Sequence, residues 1–286
     1  AGGSAASLPP VRPYRDYLGF IAGQDQAASL RAWSEALAGL EEGTRLAPRA
    51  SSSVAVAVPE RVELELDAAL TGSLGRFARE HALTLNTVLQ GVFGVLLGRL
   101  TGRTDVVFGV TVAGRPAELP GAERMVGLFI NTLPLRAEVA PQLSLLELFE
   151  RTQARQAGLL SHQHVGLGEI QRAVGLGDLF DTLVVFENYP VDRAGLAQPA
   201  NGLRLGPVAG RDATHYPLTL VVQPGERLQL RLDYRADLFD RGTVEGLGRR
   251  LVRLLSAAVA DAGRRLGELP VLDAQERQSI LQGFNA

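Results

Sequence analysis

One segment of the sequence, Thr84 to Leu100, restricts the possible folds more than any other. Thr84 can cap the start of a helix, Gly102 can end it, and apolar residues occur on nearly every side between them. A helix that is apolar all round must be covered by other elements. The chain therefore needs a large core, and its 286 residues, 46% of them hydrophobic, are enough to build one.

Two predicted strands with a long loop between them follow this helix. The first, 106–112, is a run of apolar and β-branched residues without a helical stripe, and the second is 128–135. The loop opens with residues that break a strand, namely Gly114, Arg115 and Pro116. Polar groups on a buried strand destabilise it unless they find partners. The second strand is therefore notable for its polar residues, which are Asn131 and Thr132 in its middle and Arg136 at its end.

The rest of the sequence predicts helices in alternation with strands. Apolar stripes and capping residues predict helices at 24–40, 67–80, 144–160, 240–262 and 273–282. Apolar or alternating runs predict strands at 54–58, 62–66, 182–186, 216–222 and 228–232. A turn at Pro224 and Gly225 joins the last two strands as a hairpin. Together these elements indicate an α/β fold with a mixed sheet flanked by helices.

Charge and composition argue against several classes of function. The net charge is −2, from 29 basic and 31 acidic residues that are well mixed, so no basic stripe predicts binding to nucleic acid. No apolar run reaches the roughly 18 residues of a membrane span, so we expect none. Cysteine is absent, which excludes disulfides and a thiol nucleophile and suits a cytoplasmic protein.

Well-known catalytic and metal-binding motifs are also missing. No Gly-x-Ser-x-Gly elbow supports a serine hydrolase. His162 and His164 are two residues apart and would point to different faces of a helix, which favours structural or surface roles over metal ligation. Gly166 and Gly168 lack the spacing and the lysine of a phosphate-binding loop. We therefore expect no metal and no directly bound cofactor.

Four motifs stand in an order that is typical of one family. They are Tyr-Arg-Asp-Tyr at 14–17, Val-Ala-Gly-Arg-Pro at 112–116 followed by the apolar segment 126–136, His-Gln-His-Val at 162–165, and a strand at 180–188 that ends in Asn188. In this order they resemble the signature motifs of condensation domains of nonribosomal peptide synthetases. Four ordered matches are far more specific than any single one. The chain departs from the family, which usually has Trp, Asp and Pro-Phe, at Phe20, His164 and 166–167.

The resemblance implies a fold and domain boundaries. Condensation domains consist of two lobes arranged as a V, and each lobe resembles chloramphenicol acetyltransferase, a CoA-dependent acyltransferase. The family's catalytic motif, His-His-x-x-x-Asp-Gly, belongs upstream of Tyr14, and nothing here matches it. We therefore interpret residues 14–265 as the C-terminal lobe without its N-terminal lobe. Residues 1–13 would be a linker or a recombinant remnant, and residues 266–286 a tail leading towards an adenylation domain.

The resemblance also implies a reaction and partners. A complete domain joins an upstream aminoacyl or peptidyl thioester to a downstream aminoacyl thioester. Both are carried on phosphopantetheine arms, one on a donor and one on an acceptor carrier protein. We expect this chain alone to be inactive, because the catalytic His is absent, and to self-associate through the face that its partner lobe would cover. The alternatives are a CoA-dependent acyltransferase of the same fold and a non-catalytic carrier-binding module.

The same resemblance assigns roles to single residues. In the family, an Arg of the C-terminal lobe pairs with the Asp of the catalytic motif, and the candidates are Arg115, which we favour, and Arg136. A surface position is the alternative for Arg115. The substrate tunnel is expected to include Asn131, Thr132, Asn188 and His215, for which backbone hydrogen bonding, turn formation or packing are the alternatives. The junction of the lobes is expected to include Tyr14, Asp16 and Tyr17.

Overall fold

The computed structural model describes residues 11–47, 58–188 and 214–283 of the chain. The helices in these ranges are α1 (Tyr14–Ala22), α2 (Gln26–Ala36), α3 (Ala68–Glu80), α4 (Leu85–Thr101), α5 (Leu145–Gly158), α6 (Leu167–Val174), α7 (Arg241–Ala260) and α8 (Ala274–Gly283). The strands are β1 (Glu60–Glu65), β2 (Asp105–Val112), β3 (Asn131–Glu138), β4 (Thr182–Phe186), β5 (Leu218–Gln223) and β6 (Gln229–Tyr234).

These strands form one mixed sheet in the order β1-β6-β5-β4-β2-β3. β2, β4 and β5 are parallel, whereas β3, β6 and β1 run antiparallel to the strands beside them. We call the side of the sheet where β2, β4 and β5 end the C-terminal edge, and the side where they begin the N-terminal edge. β3 starts at the C-terminal edge, because Asn131 pairs with Val112. The predicted mixed sheet with flanking helices is confirmed.

Helix α4 is the buried element that the sequence predicts. At its start the Thr84 side chain accepts a hydrogen bond from the Thr87 amide (3.0 Å), and at its end Gly102 has a φ of +69°. Every residue from Thr87 to Gly98 is buried, with α3, α5, α7 and β2 packed around the helix. Within the described residues no single helix is long and apolar enough to cross a membrane, and α3 and α4 reach that length and composition only as a pair bent by 105°.

Helices cover both faces of the sheet. On one face, α3, α4, α5 and α7 enclose the larger core, into which β2 directs Phe108. On the other face, α2 and α6 enclose a smaller core in which Val107 of β2 joins Trp33 and Ile170. Because successive side chains of a strand point to opposite faces, one strand contributes to both cores.

Several predicted element starts are confirmed. The side chains of Asp67 and Asp240 accept a backbone N–H at the starts of α3 and α7. At the start of α5, the Ser144 hydroxyl accepts from the Glu147 amide (3.1 Å), while the Glu147 carboxylate accepts from the Ser144 amide (2.8 Å). Strand β4 and the hairpin of β5 and β6 also agree with the sequence pattern.

Other boundaries differ from the sequence pattern. The helix expected at 24–40 is the shorter α2, because Asp25 caps its start and the chain leaves the helix before Gly39, where φ is +78°. The pattern predicts neither α1 nor α6, and Gly166 and Gly168 at the start of α6 disfavour a helix locally. The strand expected at 54–58 lies outside the described residues except for its last residue.

Strand β3 begins later than the sequence pattern predicts. Its ladder with β2 starts at Asn131, opposite Val112, and residues 126–130 precede it. The side chains of Val126, Leu128 and Ile130 are exposed by 79%, 77% and 49%. The cause is that β2 ends at Val112 and the chain turns away at Gly114, where φ is +61°. Asn131 and Thr132 therefore begin the strand, and the expectation that they lie in its middle is wrong.

Candidate functional site

At the C-terminal edge, helix α1 is packed on the loop that precedes β3. The Tyr14 hydroxyl donates a hydrogen bond to the Leu128 carbonyl. The rings of Tyr14 and Tyr17 lie 5.2 and 4.5 Å from the ring of Phe129. A Cβ atom on Gly127 would lie only 2.2 Å from the Tyr14 ring, so this close approach requires glycine. Two of the four motifs, at 14–17 and 126–136, are therefore in direct contact.

Asn131 connects this loop to a third motif. Its side-chain amide donates to the carbonyls of Gln163 (2.9 Å) and Val165 (2.8 Å), and its side-chain oxygen accepts from the Thr132 amide (2.9 Å). The Asn131 side chain is thus engaged with backbone groups, which was the alternative to lining a tunnel. Segments about 30 residues apart in sequence are joined by this one side chain.

The two histidines of the third motif have different surroundings. His162 Nδ1 is 3.0 Å from the hydroxyl of the buried Ser29, and the Trp33 indole donates to the His162 carbonyl (2.9 Å), so His162 ties the motif to α2. His164 Nδ1 is 3.2 Å from the Ser161 carbonyl, and its burial lowers the pKa of this imidazole. Among the described residues, no group of three or more His, Asp or Glu is placed to hold a metal ion.

Arg115 follows the turn at the end of β2. Its guanidinium donates to the carbonyls of Ala122 and Met125 (3.1 Å to the latter) and lies 3.9 Å from the centre of the Phe129 ring. The turn requires Gly114, because a Cβ there would lie 1.8 Å from the Phe129 carbonyl oxygen. In the described part of the chain no carboxylate forms an ion pair with Arg115. The residue is exposed, and its bonds are to backbone oxygens.

A cavity of about 410 Å³ lies between α1, the Arg115 turn and the third motif. Its aromatic and apolar lining includes Tyr17, Phe20, Ile21 and Leu160. Its polar lining includes Arg115, Glu118, Ser161 and His164. Burial also raises the pKa of the Tyr17 hydroxyl, with a smaller contribution from Tyr14. Asp16 of α1 is half-buried, and its carboxylate is 4.0 Å from the Arg15 guanidinium.

Arg136 does not belong to this group of residues. It lies towards the N-terminal edge, where its guanidinium binds both carboxylate oxygens of Asp105 (2.8 to 3.1 Å) and the carbonyl of Ala38 (2.7 Å). Hydrogen bonding to Asp105 raises the pKa of Arg136. Because Arg136 already has a carboxylate partner on the neighbouring strand, Arg115 stays the favoured candidate for pairing with another lobe, and both assignments stay predictions.

The expected tunnel residues Asn188 and His215 lie at opposite edges of the sheet. Asn188 follows β4 at the C-terminal edge and is exposed. His215 precedes β5 at the N-terminal edge, is exposed and packs on the ring of Tyr216 (4.2 Å between centres). β4 and β5 are parallel and in register, so the length of a five-residue strand, about 17 Å, separates the two ends. The two residues would therefore line different parts of a tunnel, and their place in it stays a prediction.

Asp181 is a buried carboxylate whose role the sequence did not predict. It accepts hydrogen bonds from the amides of Leu46 (2.9 Å) and Ala47 (2.8 Å) at the N-terminal edge. Burial raises its pKa, more than these bonds lower it. An acidic residue at the start of the apolar strand 182–186 was the available signal. A second cavity, of about 530 Å³, lies beside Asp181 and His215.

The mixed sheet with helices on both faces has the chloramphenicol-acetyltransferase-like fold. A family model for the condensation domain matches residues 1–281. The chain therefore belongs to the condensation domain family, which confirms the resemblance read from its motifs.

Curated relatives agree with this assignment. The chain is 34% identical over 98% of its length to surfactin synthase subunit 3 of Bacillus subtilis. It is also 34% identical over 97% of its length to tyrocidine synthase 2 of Brevibacillus parabrevis. It spans only 22% and 8% of those two proteins.

Two solved structures are similar in fold. The X-domain from teicoplanin biosynthesis has a TM-score of 0.72 and 25% identity, with 90% of this chain and 60% of that chain covered. The first condensation domain of the calcium-dependent antibiotic synthetase also has a TM-score of 0.72, with 22% identity, 93% of this chain and 60% of that chain covered.

Proposed function

We propose that this chain is the C-terminal lobe of a condensation domain that forms an amide bond between two carrier-bound thioesters. The observation that supports this most directly is that three of the four family motifs contact one another at the C-terminal edge. Tyr14 binds the Leu128 carbonyl, and Asn131 binds the carbonyls of Gln163 and Val165. Ligands of open α/β sheets bind beyond the carboxyl ends of the strands, which is the same edge.

The reaction would be attack of the downstream amine on the upstream thioester carbonyl. The C–N bond forms, the C–S bond breaks, and the thiol of the upstream phosphopantetheine arm leaves. The second His of the absent catalytic motif would assist by taking a proton or by positioning the amine, which is worth roughly 10²–10⁴-fold. Because this His would come from the N-terminal lobe, the 286 residues alone would not catalyse. The step itself requires neither a nucleotide nor a metal.

In this proposal Arg115 positions the catalytic loop of the N-terminal lobe and does not act as the base. Its guanidinium is fixed by two carbonyls and by the Phe129 ring, so its charge has a defined place. It has no carboxylate partner among the described residues, unlike Arg136, which is paired with Asp105. An arginine held in this way can accept a carboxylate from a second lobe without rearranging.

The tail would connect the lobe to an adenylation domain. Helix α8 is held on α7 by ion pairs of Arg250 with Glu276 (3.2 Å) and of Arg253 with Asp273 (3.4 Å). These contacts would fix the direction in which the chain continues. The remaining partners would be a donor and an acceptor carrier protein, which present phosphopantetheine to the two ends of the tunnel.

A condensation assay tests the proposal. The chain is extended upstream through its N-terminal lobe and mixed with two separately loaded carrier proteins, and the downstream thioester is analysed by mass spectrometry. We expect dipeptidyl product from the extended protein and none from the 286 residues. We expect Arg115→Ala to reduce the rate by at least about tenfold. Arg124→Ala, on an exposed arginine of the same loop, is the matched control and should leave the rate unchanged.

The other outcomes decide against the proposal. Carrier binding without product from the extended protein would favour a non-catalytic docking module. Product with free CoA thioesters and not with loaded carriers would favour a CoA-dependent acyltransferase. Product from the 286 residues alone would overturn the division of the site between two lobes.

A further inference from the structure

The Arg115 guanidinium uses only one of its three nitrogens for hydrogen bonds to the described residues. Its Nη1 donates to the carbonyls of Ala122 and Met125, whereas no group in the described part of the chain bonds to Nε or Nη2. Glu118, which lines the same cavity, lies beyond ion-pair distance of Arg115. Because a guanidinium has five N–H donors and Arg115 is exposed, its Nε–Nη2 edge is left to solvent.

Arg136 shows the same arrangement with this edge filled. Its Nη1 donates to the Ala38 carbonyl (2.7 Å), and its Nε and Nη2 bind the Asp105 carboxylate side-on (2.8 to 3.1 Å). Both arginines thus bind backbone carbonyls through Nη1, and they differ in what meets the Nε–Nη2 edge. The two N–H groups of this edge match the two oxygens of a carboxylate. The group that completes Arg115 is therefore expected to be a carboxylate.

The Phe129 ring restricts the plane of the Arg115 guanidinium. Hydrogen bonds from a single nitrogen restrict this plane only loosely, because they tolerate donor angles well below 180°. The central carbon of the guanidinium lies over the Phe129 ring, 3.9 Å from its centre, which is the stacking geometry of a cation–π contact. The ring itself is buried and is held by the rings of Tyr14 (5.2 Å) and Tyr17 (4.5 Å) on α1.

Phe129 also contacts the backbone of the turn that carries Arg115. A Cβ atom on Gly114 would lie 1.8 Å from the Phe129 carbonyl oxygen, so the two backbones are in close contact. From Val126 to Ile130, Phe129 is the one buried side chain, although this segment precedes the strand ladder. Phe129 therefore constrains Arg115 twice, through the turn and through the plane of its guanidinium.

We propose that Phe129 is the positioning residue of Arg115: its ring sets the plane of the guanidinium so that the Nε–Nη2 edge meets a carboxylate side-on. This inference rests on the proposed function, since the carboxylate would come from the N-terminal lobe. It adds which nitrogens of Arg115 bind and what orients them. Phe129 acts through Arg115 and touches no reacting atom. Because Tyr14 and Tyr17 support the ring, α1 is coupled to the orientation of this arginine.

NMR of the arginine Nε–H groups tests the inference on this chain. The probe is sodium acetate, with sodium chloride at equal concentration as the control, and the Arg115 signal is identified by comparison with Arg115→Lys. We expect the Phe129 ring current to displace the Arg115 Nε–H proton upfield, and acetate to move it downfield. The Nε–H of Arg136, already bonded to Asp105, should not respond. In Phe129→Leu the upfield displacement should vanish, and half-saturation should need at least about threefold more acetate.

Fluorinated phenylalanines at position 129 separate the electronic effect of the ring from its shape. In the extended protein, added ring fluorines keep the shape nearly unchanged and progressively weaken the negative face that attracts a cation. We expect the condensation rate to fall with each fluorine, by about two- to fivefold over the series. In the Arg115→Ala background the same series should leave the rate constant, because Phe129 acts through that arginine.

The inference is overturned if the Arg115 Nε–H shows no ring-current displacement, if acetate does not move it, or if an active extended protein keeps its rate across the fluorinated series. It also fails if Glu118→Gln shifts the Arg115 signal as strongly as acetate does, because the chain's own carboxylate would then occupy the edge. Failure of the proposed function is a different result, namely no product from the extended protein. The NMR titration of this chain would then decide the inference by itself.

Discussion

The two edges of the sheet satisfy their polar groups in different ways. At the N-terminal edge, Arg136 binds Asp105 with three hydrogen bonds, and Asp181 receives two backbone amides. At the C-terminal edge, Arg115 binds carbonyl oxygens and an aromatic ring, and His164 Nε2 has no partner in the described part of the chain. The apolar side chains of 126–130 are exposed at this second edge.

This difference is the one expected if the C-terminal edge meets a second lobe, as proposed above. Charges that are paired within the chain hold strands and connections together and leave nothing for a partner. An arginine without a carboxylate and exposed apolar residues are groups that a second lobe can satisfy, whereas buried polar atoms without a partner among the described residues occur at both edges, namely Thr182 Oγ1 and His164 Nε2. Both edges carry an arginine, and its pairing, not its residue type, distinguishes Arg136 from Arg115.

The largest expected effect concerns the two arginines. Arg136→Ala leaves Asp105 half-buried without its partner, and we expect the free energy of unfolding to fall by about 2–3 kcal/mol. Arg115→Ala removes bonds at an exposed site, and we expect a loss of about 1 kcal/mol. Urea denaturation of both variants measures the difference. Equal losses would contradict the distinction between the edges.

A smaller effect is expected where α1 meets the loop at the C-terminal edge. Gly127→Ala forces a Cβ against the Tyr14 ring, so we expect a loss of about 1–2 kcal/mol in unfolding free energy. Gly19→Ala is the matched control on α1, because its Cβ would meet nothing within 4 Å. It should stabilise by roughly 0.5–1 kcal/mol through helix propensity. If the Gly127→Ala variant had the same free energy of unfolding as the Gly19→Ala variant, α1 would not be packed on the loop as described.

The N-terminal edge should also have a pH signature. Burial raises the pKa of Asp181, so between its ordinary and its raised pKa the folded state binds more protons than the unfolded state. The free energy of unfolding therefore falls as pH rises through that window. Asp181→Asn should remove this fall, which denaturation at a series of pH values measures.

A second aspartate gives the opposite sign and serves as the control. The hydrogen bond from Arg235 lowers the pKa of Asp237, so its stabilisation is present above the ordinary pKa and is lost as pH falls. Asp237→Asn should therefore remove a rise in stability with pH. The assignment of Asp181 fails if the two variants change the pH profile in the same direction.

The smallest effect on stability, and the sharpest on association, is expected in 126–130. The double variant Val126→Ser/Leu128→Ser alters exposed side chains, so we expect stability to change by less than about 0.5 kcal/mol. Self-association of the chain, measured by sedimentation velocity over a range of concentrations, should decrease. Val58→Ser, another exposed apolar residue, is the control and should not reduce association. A wild-type chain that is monomeric at high concentration would remove the basis of this prediction.

Local patterns predicted much of this molecule. The apolar α4 with its Thr84 and Gly102 ends, the capping box at Ser144 and strand β4 follow from signals within a few residues of one another. The four motifs identified the family for the same reason, because each motif is a short sequence that can be recognised without knowing its tertiary contacts. The prediction that residues 128–130 belong to a strand was wrong, because the end of a strand depends on where its neighbouring strand ends.

The sequence by itself determined the α/β class, the position of the buried helix and the family. Only the tertiary structure decided which polar residues are already paired. Arg136 and Asp105 are 31 residues apart, and Asp181 and Leu46 are 135 apart, so no local pattern relates them. The direction of parallel strands likewise placed Asn188 and His215 at opposite edges. Whether a charged side chain stabilises the fold or is available to a partner depends on contacts between residues that are distant in sequence. The reason is that a charge is paired by its neighbours in space and not by its neighbours in the chain.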